Sequence, residues 1–166
     1  MTSSHLPLRV LVVDNDEAVC TATAEMLESL GYRADCETDS RGALKVFTEN
    51  PDKFALAIIE PILPDIMGLD LAIRLKAIRP DLPVFFYAGY ADESLSRRIG
   101  ADGLGKVALK PFRLNELAAA VRDRLPPGPV GQQVPGFVPE LDPFSKVIPV
   151  CGCRDVQAPP FPPLAS

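Results

Sequence analysis

The sequence predicts an α/β fold, a doubly wound three-layer domain around a five-stranded parallel sheet with a repeated (βα)5 pattern. Five short apolar runs alternate along the chain with five segments of helical periodicity. The apolar runs lack the polar alternation of half-exposed strands, which is typical of strands buried between two layers of helices. Right-handed crossovers then place helices on both faces of the sheet.

The five strands are predicted where β-branched and aromatic residues cluster between turn signals. They cover residues 8–13, 32–37, 54–59, 82–88 and 107–109. The third strand ends abruptly in Glu60, and a loop containing two prolines then closes at Gly68. Chemistry in open parallel sheets gathers at the carboxyl ends of the strands, so an acid presented there indicates a site.

The five helices follow the strands in order, and their polar first residues predict where three of them begin. Apolar residues recur at helical spacing in each segment, which gives every helix one face for the sheet. The predicted caps of the first, second and fourth helices are Asp16, Ser40 and Asp92. The third helix follows Gly68, and the fifth covers residues 115–125.

The composition divides the chain into three parts. Residues 1–7 form a short N-terminal extension, and residues 8–125 contain the whole βα pattern. Eleven of the 18 prolines lie in residues 126–166, which we expect to be a disordered tail because proline supports neither helix nor sheet. This tail contains Cys151 and Cys153, to which the spacing assigns no role.

Charge, hydropathy and cysteine content exclude several functions. A net charge of −5 without any basic run argues against binding of nucleic acid. No apolar stretch approaches the roughly 18 residues that a membrane span needs. Four irregularly spaced cysteines and the lack of a signal-peptide pattern favour a reducing, cytoplasmic location.

The strand ends bring four groups of candidate residues to one edge of the predicted sheet. The first strand delivers Asp14 and Asn15, the third Glu60, the fourth Ala88 and the fifth Lys110. Because these strands are parallel, we expect the acids and the lysine to share a small polar cleft.

Residues 8–125 resemble the receiver domain of response regulators in bacterial two-component signalling. The resemblance implies a CheY-like, flavodoxin-like order of strands and helices. Each matching motif is short, but five of them occur in the family's order and spacing. They are Val12-Val13-Asp14, Leu63-Pro64-Asp65-Ile66-Met67-Gly68, Pro83-Val84, Gly89-Tyr90-Ala91-Asp92 and Lys110-Pro111-Phe112.

The resemblance implies a phosphotransfer site, from which this sequence departs. In the family an aspartate on the third strand accepts a phosphoryl group, and two acids on the first strand help bind Mg²⁺. A hydroxyl on the fourth strand then moves toward the phosphoryl group, and an aromatic side chain on the fifth strand often follows it inward. Here Glu60 stands at the position of the acceptor and Asn15 at that of the second acid. Ala88 stands at the position of the hydroxyl residue and Val107 at that of the aromatic residue. The resemblance also implies a cis Lys110–Pro111 peptide.

These departures should impair phosphotransfer. Glutamate moves its carboxylate outward by about 1–1.5 Å, and an error of about 1 Å can cost roughly 10²-fold in rate. No cofactor is expected, since loss of a carboxylate leaves at most a weak Mg²⁺ site at Asp14, Asn15 and Glu60. Ala88 offers no hydrogen-bond donor. The longer Glu60 can instead form an ion pair with Lys110.

The sequence therefore favours a pseudo-receiver, a non-enzymatic binding module that no longer accepts a phosphoryl group. The alternative is a phospho-acceptor that is still active with Mg²⁺. Whether the fixed state would correspond to the active or the inactive form stays open, because Glu60 favours the first and Ala88 the second.

The expected partner is a protein, such as a histidine kinase or an output protein, and neither nucleic acid nor a membrane. The resemblance places the contact surface on the fourth helix, fifth strand and fifth helix. Its expected residues are Ser94, Leu95, Arg98 and Val107. The sequence leaves the oligomeric state open.

Overall fold

The computed structural model describes residues 7–90, 93–104, 106–111, 113–125 and 147–148. Its strands are β1 (Arg9–Val13), β2 (Arg33–Glu37), β3 (Phe54–Ile59), β4 (Val84–Ala88), β5 (Lys106–Leu109) and β6 (Val147–Ile148). Its helices are α1 (Glu17–Ser29), α2 (Ser40–Glu49), α3 (Gly68–Ile78), α4 (Glu93–Ala101) and α5 (Leu114–Arg122), with a short 3-10 turn at Pro51–Lys53. None of the helices in the described ranges is long and apolar enough to cross a lipid bilayer.

The five parallel strands and five helices confirm the predicted fold class. The strands lie in the order β2-β1-β3-β4-β5-β6, and all neighbours from β2 to β5 are parallel. Successive strands are separated by a helix, so each parallel pair is joined by a crossover, as the alternating sequence pattern requires.

The sheet contains one strand more than the five that were predicted. β6 pairs antiparallel with β5, with Val107 opposite Ile148 and Ala108 opposite Val147. Two residues of the segment expected to be disordered are thus part of the sheet, because the edge of β5 offers unpaired backbone groups to a β-branched segment. The rest of that segment, with Cys151 and Cys153, lies outside the described residues, as do residues 1–6.

The core has two halves, one on each face of the sheet. The first half joins α2, α3 and α4 to the side of β1 that carries Leu11 and Val13. The second joins α1 and α5 to the opposite side, which carries Val10 and Val12. Strand residues alternate between the two halves because successive side chains of a strand point to opposite faces.

The starts of the first two helices test the predicted caps. Asp16 caps α1, and its side chain accepts the N–H groups of Ala18 and Val19. Asp39 and not Ser40 caps α2, by accepting the Gly42 N–H at 2.7 Å. Ser40 is instead the first helical residue and is completely buried. Both residue types are good caps, so the choice depended on which side chain the surrounding structure covered.

Gly68 lies where the loop after β3 returns against its own beginning. Its N–H donates to the Pro61 carbonyl at 2.9 Å. A Cβ at this position would overlap the Glu60 carbonyl oxygen and lie 2.9 Å from the Pro61 Cα. Glycine is required here because two stretches of backbone meet without room for a side chain.

Gly68→Ala should therefore lower the free energy of unfolding by about 1–3 kcal/mol, the usual cost of overpacking a closed site. The measurement is the midpoint of urea unfolding. Gly89→Ala is the matched control, because Gly89 is exposed and a Cβ there would meet no atom within 4 Å. We expect the control to stay within about 0.5 kcal/mol of the native chain. Equal midpoints for the two variants would contradict the close approach.

Candidate functional site

The candidate site lies at the carboxyl edge of the sheet, where backbone hydrogen bonds fix the ends of four strands. Asp14 N donates to the Glu37 carbonyl at 3.1 Å, Glu60 N to Val13 at 2.8 Å, and Lys110 N to Ala88 at 2.8 Å. Since β1, β3, β4 and β5 are adjacent and parallel, these bonds hold the residues that follow the strands at one edge.

An ammonium group between two carboxylates forms the centre of this site. Lys110 Nζ lies 2.7 Å from Glu60 Oε2 and forms a second ion pair with Asp14 Oδ2. The side chains of Asp14, Glu60 and Lys110 are only 3%, 9% and 18% exposed. Burial on this scale makes the three charges depend on one another, because water screens them little.

Backbone N–H groups occupy the remaining carboxylate oxygens of the two acids. Asp14 Oδ1 accepts the Asp16 N–H at 2.9 Å, and Glu60 Oε1 accepts the Ile62 N–H at 3.2 Å. All four oxygens of the two carboxylates therefore have a donor. This satisfies the buried acids and fixes the direction in which each carboxylate points.

The surroundings of Lys110 favour its charged form. Desolvation by burial lowers the pKa of the Lys110 ammonium, but hydrogen bonds from this group to Asp14 and Glu60 outweigh it, and the net direction is upward. The ammonium also lies 5.3 Å from the centre of the Tyr87 ring, within the range of a cation–π contact.

The loop between β3 and α3 is tied to the start of α2 by Asp65. Its two carboxylate oxygens accept the N–H groups of Ser40 and Arg41, each at 3.0 Å. The Ser40 hydroxyl donates in return to the Ile66 carbonyl at 2.6 Å. Desolvation raises the pKa of Asp65, but the backbone N–H groups of Ser40, Ile66, Arg41 and Asp65 itself together outweigh it and lower the pKa to about 2. The loop that carries Glu60 is therefore anchored to a neighbouring crossover.

The residues present do not fit a bound Mg²⁺ ion. The Lys110 ammonium occupies the space between Asp14 and Glu60, and Asn15 is exposed. Among the described residues no group of three or more His, Cys, Asp or Glu side chains is arranged to hold a metal. A hard divalent cation prefers several oxygen ligands, and here the Lys110 ammonium already pairs with the two nearest carboxylates.

The structure brings three of the sequence-predicted site residues together and places the others elsewhere. Asp14, Glu60 and Lys110 meet, including the expected contact of Glu60 with Lys110. Ala88 is completely buried in the core beside the site, and Asn15 faces solvent. The Lys110–Pro111 peptide is cis, as the resemblance implied.

The predicted contact surface needs one correction. Ser94 and Arg98 of α4 are exposed, while Leu95 is half-buried against the core. Val107 is wrongly placed on this surface, because it is completely buried in the same core cluster. The side chain of a central β5 residue points under α4, so only its backbone reaches the edge of the sheet, where β6 covers it.

Two features of the site were missed in the sequence. The pairing of Asp14 with Lys110 joins residues 96 positions apart, and the contact of Asp65 with Ser40 spans 25. No local pattern announces either contact. An acid in a loop before a helix can be read as a cap, but the next helix after Asp65 is α3, whereas Asp65 binds the start of α2.

The chain matches the sequence profile described as response regulator receiver domain over residues 10–122. The chain belongs to this family. Among curated relatives, it is 33% identical over 120 residues to the response regulator MprA of Mycolicibacterium vanbaalenii. It is 29% identical over 117 residues to the response regulator receiver protein CpdR of Brucella abortus, and 28% over 116 to the sensor kinase CckA of the same organism.

The extent of these matches differs between relatives. Each covers 70% of this chain, but only 12% of CckA and 50% of MprA, against 96% of CpdR. A solved structure of the response regulator TrrA from Thermotoga maritima, in complex with Mg²⁺-BeF, has a TM-score of 0.63 at 26% identity and covers 71% of this chain and 99% of TrrA. The region that these proteins share with this chain is thus the receiver domain.

Lys110→Met should destabilise the receiver domain by about 3–5 kcal/mol at neutral pH, because it leaves two buried carboxylates facing each other without a cation. The measurement is the free energy of unfolding in urea. Lys45→Met is the control, since Lys45 is exposed on α2. Adding Glu60→Gln to Lys110→Met should restore part of the loss. A loss below about 1 kcal/mol, typical of an exposed ion pair, would contradict the buried contact.

Asp65→Ala should lower stability at neutral pH and remove one component of acid sensitivity. The pKa of Asp65 falls from 3.8 to about 2 on folding, so its contribution is complete above about pH 4 and is lost as the pH falls through about 2. The difference in unfolding free energy between the native chain and the variant should therefore shrink across that window. Thermal unfolding of both proteins from pH 2 to pH 7 measures this difference. A difference independent of pH would contradict the hydrogen bonds of the Asp65 carboxylate to the start of α2.

Proposed function

We propose that this receiver domain works as a pseudo-receiver, a module that binds a signalling protein without accepting a phosphoryl group. The contact of Lys110 with both Asp14 and Glu60 is the observation that supports this most. It gives the site a permanent internal cation at the place where transfer would need a free lysine and a metal.

The acids of the site are poorly placed to attack phosphorus. Both oxygens of Glu60 already accept hydrogen bonds, one from Lys110 and one from the Ile62 N–H. A nucleophilic oxygen would have to leave one of these donors, and the extra methylene of glutamate displaces it further. Ala88 then has no hydroxyl to hold the product, so a conformational response would also lack its trigger.

The proposed partner is a protein of a two-component system, either a histidine kinase or an output protein. The exposed residues Ser94 and Arg98 of α4 support a contact surface beside β5. The match to the response regulator receiver protein CpdR, of which it covers 96%, supports a signalling role for the domain. Neither nucleic acid nor a membrane is proposed as a partner.

Incubation with acetyl phosphate and Mg²⁺ tests the loss of phosphotransfer. We expect the native chain to remain unmodified by intact mass spectrometry and by Phos-tag electrophoresis. TrrA serves as the control for the assay, because its structure was solved with Mg²⁺-BeF. The rate for the native chain should be lower by about 10²-fold or more, the cost of misplacing a reacting atom by about 1 Å.

The variant Asn15→Asp/Glu60→Asp restores the two acids of the family pattern and should gain Mg²⁺-dependent modification at position 60. Its comparison with the native chain separates a defective site from a general failure of the domain to react. Stoichiometric modification of Glu60 in the native chain would overturn the proposal and establish the alternative, an active phospho-acceptor.

A further inference from the structure

Two thiols from different elements meet beneath the first strand end. Cys20 belongs to α1 and Cys36 to β2. The Cys36 Sγ lies 3.3 Å from the Cys20 carbonyl oxygen, and the Cys20 Sγ lies 3.7 Å from the carbonyl oxygen of Glu37, the residue after Cys36. Both cysteines are free. A pair of adjacent reduced thiols is a different situation from a single buried cysteine, which usually acts only as a small apolar side chain.

The environments of the two thiols differ in a way that assigns them different roles. Cys36 is exposed on the edge strand of the sheet, whereas Cys20 is only 1% exposed. An oxidant in solution therefore reaches Cys36 first. A hydrogen bond from Cys20 lowers the pKa of Cys36, although desolvation and nearby acids act in the opposite direction. The accessible thiol is thus also the one with more thiolate character.

We propose that Cys36 is a peroxide-reactive modification site and that Cys20 is its resolving thiol, so that oxidation links α1 to β2 through an intramolecular disulfide. The observation on which this depends is the contact of the Cys36 Sγ with the backbone of Cys20, at 3.3 Å from its carbonyl oxygen. The thiol of Cys20 lies in turn 3.7 Å from the carbonyl oxygen of Glu37, the residue after Cys36, so rotation of the two side chains is the movement that bonding requires.

The chemistry balances with hydrogen peroxide as the oxidant. The Cys36 thiolate attacks one peroxide oxygen, the O–O bond breaks, and the departing hydroxide takes up a proton to give water. The Cys20 sulfur then attacks the Cys36 sulfenic acid, its proton leaves with the sulfenic hydroxyl as a second water, and the S–S bond forms. Two thiols are oxidised by two electrons in total, and one peroxide is reduced to two waters.

The position of the pair connects it to the Asp14 end of the site. The Cys20 Sγ lies 3.7 Å from the Asp14 carbonyl oxygen and 3.7 Å from that of Glu37. The Glu37 carbonyl in turn accepts the Asp14 N–H at 3.1 Å. A disulfide here would thus form directly under the backbone that positions the first acid.

The test uses the full chain with Cys151→Ser and Cys153→Ser, which leaves only Cys20 and Cys36 of the four cysteines. Reduced protein is treated with one equivalent of hydrogen peroxide, alkylated, and analysed by intact mass and by peptide mapping without reductant. We expect a monomer that has lost two hydrogen atoms, no longer alkylates, and yields one cross-linked peptide pair. Reduction with dithiothreitol should restore both alkylation sites.

Two variants separate the roles of the thiols. Cys20→Ala should stop the reaction at a sulfenic acid on Cys36, which dimedone traps. Cys36→Ser, a change at an exposed position, should abolish the reaction with peroxide while the chain stays folded by circular dichroism. A product in which Cys36 is oxidised but unlinked to Cys20, a disulfide only between two chains, or unchanged reactivity in Cys36→Ser would each overturn the proposal.

Discussion

The structure of this receiver domain depends on one ammonium group held between two buried carboxylates. Lys110 follows β5, while Asp14 and Glu60 follow β1 and β3, and only a parallel sheet brings these three strand ends to the same edge. Burying three charges is costly unless each is paired and hydrogen-bonded. Here every carboxylate oxygen has a donor, so the cluster is stable only as a complete set.

The same cluster limits what the site can do. In its family the site exchanges partners, because a metal and a phosphoryl group arrive and leave. Lys110 already contacts both acids, and both oxygens of Glu60 already accept hydrogen bonds, which is the arrangement on which the proposal of a pseudo-receiver rests. In the proposed pseudo-receiver the site keeps one arrangement, whereas a switch needs two arrangements of similar energy.

The loop after β3 shows how the scaffold supports this arrangement. Gly68 allows the backbone to return against Glu60, and Asp65 anchors the loop to the first turn of α2. The first contact closes the loop on itself and the second joins it to a neighbouring helix, so the backbone that carries Glu60 is held from two sides. At the two edges of the sheet lie β6, which pairs with β5, and β2, which carries Cys36.

The amino-acid pattern alone predicts the fold class, the order of the elements and the set of residues at the strand ends. The elements follow from the periodicity of apolar residues along the chain, and the shared edge follows because parallel strands all end on the same side of a sheet. Tertiary structure decided which of those residues meet. Asp14 pairs with Lys110, Asp39 displaces Ser40 as a cap, Val107 turns inward, and Val147–Ile148 joins the sheet. These outcomes depend on which side chains become buried, on partners that are distant in the chain, and on competition between adjacent residues for one role. The spacing of residues along the sequence contains no information on any of the three.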